Sequence, residues 1–500
     1  MNYAIAVIDI GMTNKKLAIY DDSLCQLDAK YRVFEPLIVK GLECHDLDAM
    51  EEWFLDQLAA AGREYPVRAI AVSTHGATFT CLGKDGRVAL PCVFYTHEPG
   101  KEFHRRFYET FGPAEELQAR TGTPAFEAMI NPAKGIYFAR EQFPDEFQNV
   151  TSVLPYSQYW GFRLTGRTGV ENTYMGCHTY LWDQVDGCLS SVAEKLGIAQ
   201  LLPDNLNDSW DVLGNISTGV AERTGLPPGT IVTMGIHDSN ASLLPHFAKI
   251  GETGFTLNST GTWCVIMNPV KEYGFAPEEL GKVVFFNISA FGTPVKTAIF
   301  LGGQEFETWS KILMAAHKRE DLPSYNEGLY RKILEEADCF LLPELLAGTG
   351  QFPGSKPCVV EGGKVWPFEE ICSGRMPPCF GDYEKGLAVL RISLVMQSLV
   401  AFERTGLQPG SVIITEGGFR KDKAYNRLLS AAYRDNKVYV TDIAEATALG
   451  AAMMAKLALT GTSLSELASD LEIEYQEVEK SDMPELFSYR EAWVGQVEKL

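Results

Sequence analysis

The residues best suited to chemistry stand where apolar runs end. Ile231-Val232-Thr233-Met234 reads as a buried strand, Gly235 to Asp238 as the turn at its carboxyl end, and Asn240 to Leu244 as the start of a helix. Ligands of α/β sheets bind at the carboxyl ends of strands, and Asp238 placed there can take the proton of a hydroxyl. An aspartate beside a helix start also caps it, so this stretch alone leaves both roles open.

A second constellation lies at the amino end. Strands over 3–8 and 16–20 are joined by Asp9-Ile10-Gly11-Met12-Thr13-Asn14-Lys15, a link that only a hairpin satisfies. Gly11 admits backbone amides close to a ligand, Thr13 and Asn14 offer donors, Lys15 a positive charge, and Asp9 an oxygen ligand for a hard cation such as Mg2+. Ordinary hairpin turns use the same residue types. The pattern recurs about 250 residues later, where a strand over 254–258, the polar turn Ser259-Thr260-Gly261-Thr262 and a returning strand over 263–267 repeat it. Two such units predict two related domains facing each other, each with one phosphate-cradling hairpin.

Further candidates flank other strands. Glu416-Gly417-Gly418-Phe419-Arg420 follows a buried strand over 411–415 and precedes a helix carrying Asn426. The paired glycines let a flat ring or a ribose pass close to the backbone, and a plain turn explains them equally. Thr74-His75-Gly76 is a polar break between strands over 68–73 and 77–82, suited to reading substrate hydroxyls, with a hydrogen-bonded core histidine as the alternative. His178, among aromatics, reads as structural.

These residues require a scaffold. Leu47, Met50, Phe54, Leu58 and Ala61 share one face of a helix over 46–61, which Gly62 follows. A long helix over 385–405 is apolar nearly all round, its polar Arg391 and Ser398 sharing a stripe. Glu445 to Ala452 opens a small-residue helix that can pack tightly. From Thr462, where Ser463 and Glu466 form a capping-box pattern, the acidic tail reads as a surface helical extension without chemistry.

Composition narrows the partners. With 65 acidic against 44 basic residues the 500-residue chain carries a formal charge of -21, which opposes nucleic acid and anionic membranes. A small polyanion then needs local help from backbone amides or a cation. The 11 cysteines lack a Cys-x-x-Cys pair and read as reduced core thiols, not as disulfides or a zinc site. No basic leader stands out and no apolar run reaches about 18 residues, so a cytoplasmic protein free of membrane is expected, with a homodimer as one option for its assembly.

Taken in order, Asp9 to Asn14, Ser73 to Gly76, Lys134, Gly235 to Asp238, Ser259 to Trp263, Glu416 to Gly418 and Glu445 to Ala452 resemble the FGGY carbohydrate kinases, over the chain to about residue 458. The resemblance implies a two-domain actin-like ATPase fold, ribonuclease H-like, of α/β class, with the active site in the interdomain cleft. Residues 1–248 would form the sugar-binding domain, 249–458 the ATP-binding domain and 459–500 the extension. Asp238 then corresponds to the catalytic base. Asp9 would hold Mg2+ and stand at the substrate with His75, Gly76 and His237. Gly11, Thr13, Asn14, Lys15, Thr260, Gly261 and Thr262 would serve the ATP phosphates, and Gly417, Gly418, Phe419 and Asn426 the adenosine. His237-Asp238 followed by Gly-Thr-Trp is most similar to the kinases of L-fuculose and L-rhamnulose. His75 replaces the usual aromatic residue, and Tyr95-Thr96-His97-Glu98 lacks the aspartate of many relatives, which favours L-fuculose. His237 is expected to point away from Asp238 and to bind a sugar hydroxyl. The alternatives are another pentulose or polyol kinase, or a non-catalytic actin-like sugar sensor.

Overall fold

Two seven-stranded sheets with the same internal plan organise the chain. The computed structural model describes residues 1–203, 205–346, 348–443 and 445–500. In the first sheet Ala4–Ile10 pairs antiparallel with Asn14–Asp21, which pairs antiparallel with Gln26–Val33. On its other side Ala4–Ile10 runs parallel to Val67–Thr74, and that strand parallel to Ile231–Thr233 and Ile236–His237. The second sheet repeats this around Phe255–Thr260. Its antiparallel partner is Cys264–Pro269, followed by Pro294–Phe300, and its parallel neighbours are Val412–Gly417 and then Lys437–Thr441. Ile10 faces Thr74 as Thr260 faces Gly417, so the two polar turns occupy equivalent corners.

The central strands explain themselves. Ala4-Ile5-Ala6-Val7-Ile8 is buried on both faces, as the near-continuous apolar run requires. Helices cover those faces. Leu47–Glu64 starts at Asp46, whose carboxylate accepts the amide of Ala49, and buries the five predicted residues plus Trp53. It runs past Gly62, which does not end it; that glycine sits where a side chain would strike Leu226. The helix Tyr383–Arg404 extends along the second sheet. An 18-residue window of it has a mean hydropathy of 1.5, high enough for a membrane span and contrary to the expectation from the sequence, yet 94% of that window is buried within the protein. Arg391 and Ser398 leave the same side, to Asp422 and to the hydroxyl of Tyr425.

Between the halves, the helices Asp238–Ile250 and Ala446–Thr460 cross with their backbones in contact. A Cβ on Gly450 would lie 2.0 Å from the carbonyl oxygen of Ala241, which is why the small-residue helix needs a glycine there.

The tail departs from the expectation of a surface appendage. The capping box of Ser463 and Glu466 forms, but Tyr475–Glu477 then adds an antiparallel edge strand to the second sheet. Glu485–Val497 buries Leu486, Tyr489, Trp493 and Val497 in the core of that half, with the Trp493 indole donating to the carbonyl of Leu341 at 2.8 Å. Cysteines divide similarly. Eight are buried, whereas Cys25, Cys188 and Cys372 are exposed, so "core thiol" fits only the first group.

Candidate active site

A cavity of about 250 Å³ opens between the halves with Asp238 in its wall. The first half lines it with His75, Gly76, Ala77, Tyr95, Phe126 and Ile130, together with His178, His237 and Ser239. The second half adds Trp263, Val265, Phe285, Asn287 and Ile299. About half of these side chains are apolar, and the polar ones decide what the cavity holds in place.

Asp238 is the first residue of its helix and not the cap. The capping position is His237, which gives no side-chain bond. The carboxylate takes the amide of Ser239 at 2.6 Å and its hydroxyl at 3.2 Å. Its side chain is half-buried, with 28% of its surface open at the cavity. Desolvation, and then the nearby negative charge of Asp9, push its carboxyl up to about 7 against the pull of the Ser239 bonds.

His237 corrects the sequence reading. Its Nε2 lies 3.2 Å from Oδ1 of Asp238 instead of pointing away. The strand alternation stops between the two residues, because His237 is extended and Asp238 already helical. Asn240 Nδ2 donates to His237 Nδ1 at 3.1 Å, so the ring proton sits on Nε2, which faces Asp238 and also the thiol of Cys177 at 3.5 Å. Burial, helped by His178 and His75, keeps the ring neutral. The His237 amide donates to Thr173 Oγ1 at 3.0 Å, and Thr173 in turn gives its hydroxyl to the buried carboxylate of Glu171. Gly76 makes room for this ring: a Cβ there would come within 2.7 Å of it.

His75 lines the cavity with both nitrogens engaged. Nδ1 donates to the carbonyl of Ile10 at 3.2 Å and Nε2 accepts from Thr78 Oγ1 at 2.8 Å. Burial lowers it to about 3, so it stays neutral. The geometry fits the core-histidine alternative, with a ring edge rather than a free nitrogen offered to the cavity.

The first polar turn leaves Thr13 and Asn14 exposed and closes through the Gly11 amide on the Asn14 carbonyl at 3.0 Å. Lys15 does not reach outward. Its ammonium is buried on the Met12 carbonyl at 2.7 Å, and desolvation lowers it to about 8. Asp9 is held across the halves. Lys16 pairs with Oδ2 at 2.9 Å, Thr447 donates to the same oxygen at 2.8 Å, and Lys16 also pairs with Glu445.

In the second turn Gly261 and Thr262 are exposed, whereas the Thr260 hydroxyl is spent inside the protein, donating to the Glu416 carbonyl and accepting the Phe419 amide at 2.9 Å. Gly417, at φ 78°, sits so close that a Cβ would fall 2.0 Å from the Thr260 carbonyl oxygen, and a Cβ on Gly303 would fall 1.9 Å from that of Gly261. Gly417 and Gly418 are exposed, and Gly418 and Phe419 line a second cavity of about 470 Å³ with Phe306, Tyr325 and Arg391. Asn426 is buried behind this wall, bracing it by donating to the carbonyls of Phe419 and Asp422.

The structure therefore brings together Asp238, His237, His75 and Gly76 at one cavity, and Gly418 and Phe419 at another. Lys15, Thr260 and Asn426 serve the protein's own framework. Missing from the sequence reading were Phe126, Ile130, Phe285, Asn287 and Ile299, of which Phe285 and Asn287 share the strand Val284–Ile288 and Ile299 lies on Pro294–Phe300. Gly303 was missed too, although Gly302-Gly303 after an apolar strand repeats the signal that singled out Gly417-Gly418.

Comparison with known proteins agrees with this layout. Residues 4–245 match the family described as FGGY family of carbohydrate kinases, N-terminal domain, and residues 252–463 match carbohydrate kinase FGGY, C-terminal domain. L-fuculokinase of Escherichia coli (strain K12) is 25% identical over 269 residues, 53% of this chain and 56% of that one. Rhamnulokinase of Halalkalibacterium halodurans is 26% identical over 277 residues, with the same shares. The chain thus spans about half the length of these curated relatives. A carbohydrate kinase from Novosphingobium aromaticivorans superposes with a TM-score of 0.81 at 28% identity, over 100% of this chain and 99% of that one. A xylulose kinase from Lactobacillus acidophilus reaches 0.80 at 15% identity over 99% and 97%, a likeness of fold alone.

Proposed function

Since the chain belongs to the FGGY family of carbohydrate kinases, we propose that it transfers the γ-phosphoryl group of ATP to the C1 hydroxyl of a ketose held in the Asp238 cavity. One observation carries the reading: a carboxylate brought to about 7 by burial stands in the wall of a sugar-sized, largely apolar cavity between the two halves. An alcohol is a weak nucleophile at neutral pH. A base whose pKa lies near the working pH takes its proton as the bond to phosphorus forms, worth about 10²- to 10⁴-fold.

The amide and hydroxyl of Ser239 both donate to Asp238 Oδ1, with neutral His237 Nε2 beside it at 3.2 Å, which holds the carboxylate's direction and leaves its other oxygen for the hydroxyl. The exposed Thr13, Asn14 and Thr262 supply donors for phosphate oxygens, while the amides of Gly11 and Gly261 close their own turns, and the Gly418-Phe419 cavity takes the adenosine. Magnesium suits the remaining oxygen donors. Asp9, with Oδ2 already on Lys16 and Thr447, offers Oδ1, and bound Mg2+ would neutralise charge on the phosphates.

The substrate follows from the walls. Phe126, Ile130, Val265, Phe285 and Ile299 favour a sugar with an apolar end, which a 6-deoxyketohexose has, and the names of the curated relatives agree. L-Fuculose is the first choice and L-rhamnulose the second. ADP release measured against L-fuculose, L-rhamnulose, L-ribulose and D-xylulose side by side tests both levels. Sugar-independent ATP turnover would sink the kinase assignment, and preference for a pentulose would sink the deoxyketose.

A further inference from the structure

Cys177, His178 and His237 bring one donor atom each to within 4.8 Å of the others at the edge of the Asp238 cavity. Cys177 Sγ and His237 Nε2 are 3.5 Å apart, and Asp238 Oδ1 is 3.2 Å from the same nitrogen. In a tetrahedral zinc site with bonds of about 2.0 to 2.3 Å, neighbouring donors stand about 3.3 to 3.8 Å apart. The two histidine rings meet nearly at right angles, at 86° with centroids 6.1 Å apart, so both can turn a nitrogen lone pair toward one point. His178 Nδ1 is buried without a hydrogen-bond partner. Gly76 lies against this cluster: a Cβ there would be 2.7 Å from His237 Nε2 and 3.0 Å from Cys177 Sγ.

We propose that Cys177, His178, His237 and Asp238 form a binding site for a borderline-soft divalent cation of the zinc class, and that the bound ion excludes the sugar from the cavity. One thiolate, two imidazoles and a carboxylate match the ligand preferences of zinc and not those of magnesium, which takes oxygen donors. Coordination replaces the Cys177 thiol proton and moves the His237 proton from Nε2 to Nδ1, where Asn240, turned to present its otherwise unpartnered Oδ1, accepts it; binding therefore releases one proton and leaves a Zn–S bond. The ion would take His237 Nε2 and Asp238 Oδ1 together, the two atoms the phosphoryl-transfer reading uses. The cation site stands on the cluster alone, whereas exclusion of sugar rests on the reading of the cavity as the acceptor site.

The experiment titrates the full chain with Zn2+ against a chromophoric chelator, and separately with Co2+ as a spectroscopic stand-in, in excess Mg2+ without thiol reductant. The expected result is one site whose Co2+ spectrum carries a thiolate charge-transfer band and tetrahedral ligand-field bands. Cys177→Ser should abolish the band, and His178→Asn should weaken binding at least about tenfold, since even outer-shell changes cost 10- to 100-fold. Cys379→Ser, which removes the other cysteine cluster of Cys339, Glu361 and Cys379, should leave the band in place. A band that survives both Cys177→Ser and His178→Asn in folded protein overturns the site. Inhibition by Zn2+, each variant read against its own zinc-free rate, should be competitive with ketose and relieved in His178→Asn. Tight Zn2+ binding that ketose cannot displace would overturn the exclusion and the acceptor-site reading while leaving the cation site standing.

Discussion

His237 Nε2 stands 3.2 Å from Asp238 Oδ1, and the proton is fixed on that nitrogen by the Asn240 amide on the far side of the ring. The carboxylate thus faces a neutral ring and not a cation. Its basicity is high because burial strips it of water and the like charge of Asp9 adds to that effect.

Asp238→Asn keeps the shape and the Ser239 contacts but removes the proton acceptor. Turnover should fall about 10²- to 10⁴-fold with the KM for sugar within a few-fold of wild type. ADP release under saturating ATP, with circular dichroism to check folding, measures this. A variant with near wild-type turnover rejects Asp238 as the base.

The pH profile should carry the same residue. With the carboxyl near 7, kcat rises about tenfold per pH unit below that value and levels above it. His237→Asn, which removes the neutral Nε2–H that faces the charged carboxylate at 3.2 Å, should move that limb to higher pH.

Stability should respond in the opposite sense. The folded-state carboxyl is raised above its ordinary value of 3.8, so between about 4 and 7 the folded protein binds more protons than the unfolded chain, and stability declines as pH rises through that window. Asp238→Asn avoids this cost. It should be more stable than wild type above pH 7, by at most about 4 kcal/mol, with the difference vanishing near pH 4. Thermal unfolding of both proteins across that range decides it.

Gly417→Ala places a Cβ on the Thr260 carbonyl at a positive φ. The turn must shift, at about 1 to 3 kcal/mol, and the KM for ATP should rise severalfold more than the KM for ketose. Equal changes in both would remove the Gly417 loop from the nucleotide site.

Trp493→Ala should cost about 3 to 5 kcal/mol, because the indole is fully buried and hydrogen-bonded to Leu341. Chemical denaturation measures it. A change under 1 kcal/mol would restore the tail to the surface role its acidity suggests.

The two glycine turns and Asp238 were legible because their signals are local: a short polar break between apolar runs forces a hairpin or a strand end whatever the rest of the chain does. The direction of His237 was not, since beside the nearby Asn240 it depends on Gly76 and Thr173, both remote from it in the chain. Lys15 and Lys16 look like outward cations, yet a strand sends adjacent residues to opposite faces, and here both faces are covered. The tail helix did carry its signal. Leu486, Tyr489, Trp493 and Val497 follow the helical spacing of a buried face, which the surrounding acidic residues obscured.

The cavity is walled from both halves, and this divides its inheritance. Asp238 and His237 sit on a segment that ends before Gly251, while Trp263, Val265, Phe285, Asn287 and Ile299 all fall within 37 consecutive positions of the other half. A recombination junction near Gly251 to Gly254 would exchange one wall of the sugar cavity as a block while leaving the proton acceptor and its histidine untouched. On the proposal that this cavity holds the sugar, new sugar preferences can be acquired by cassette, without first passing through variants that have lost the chemistry.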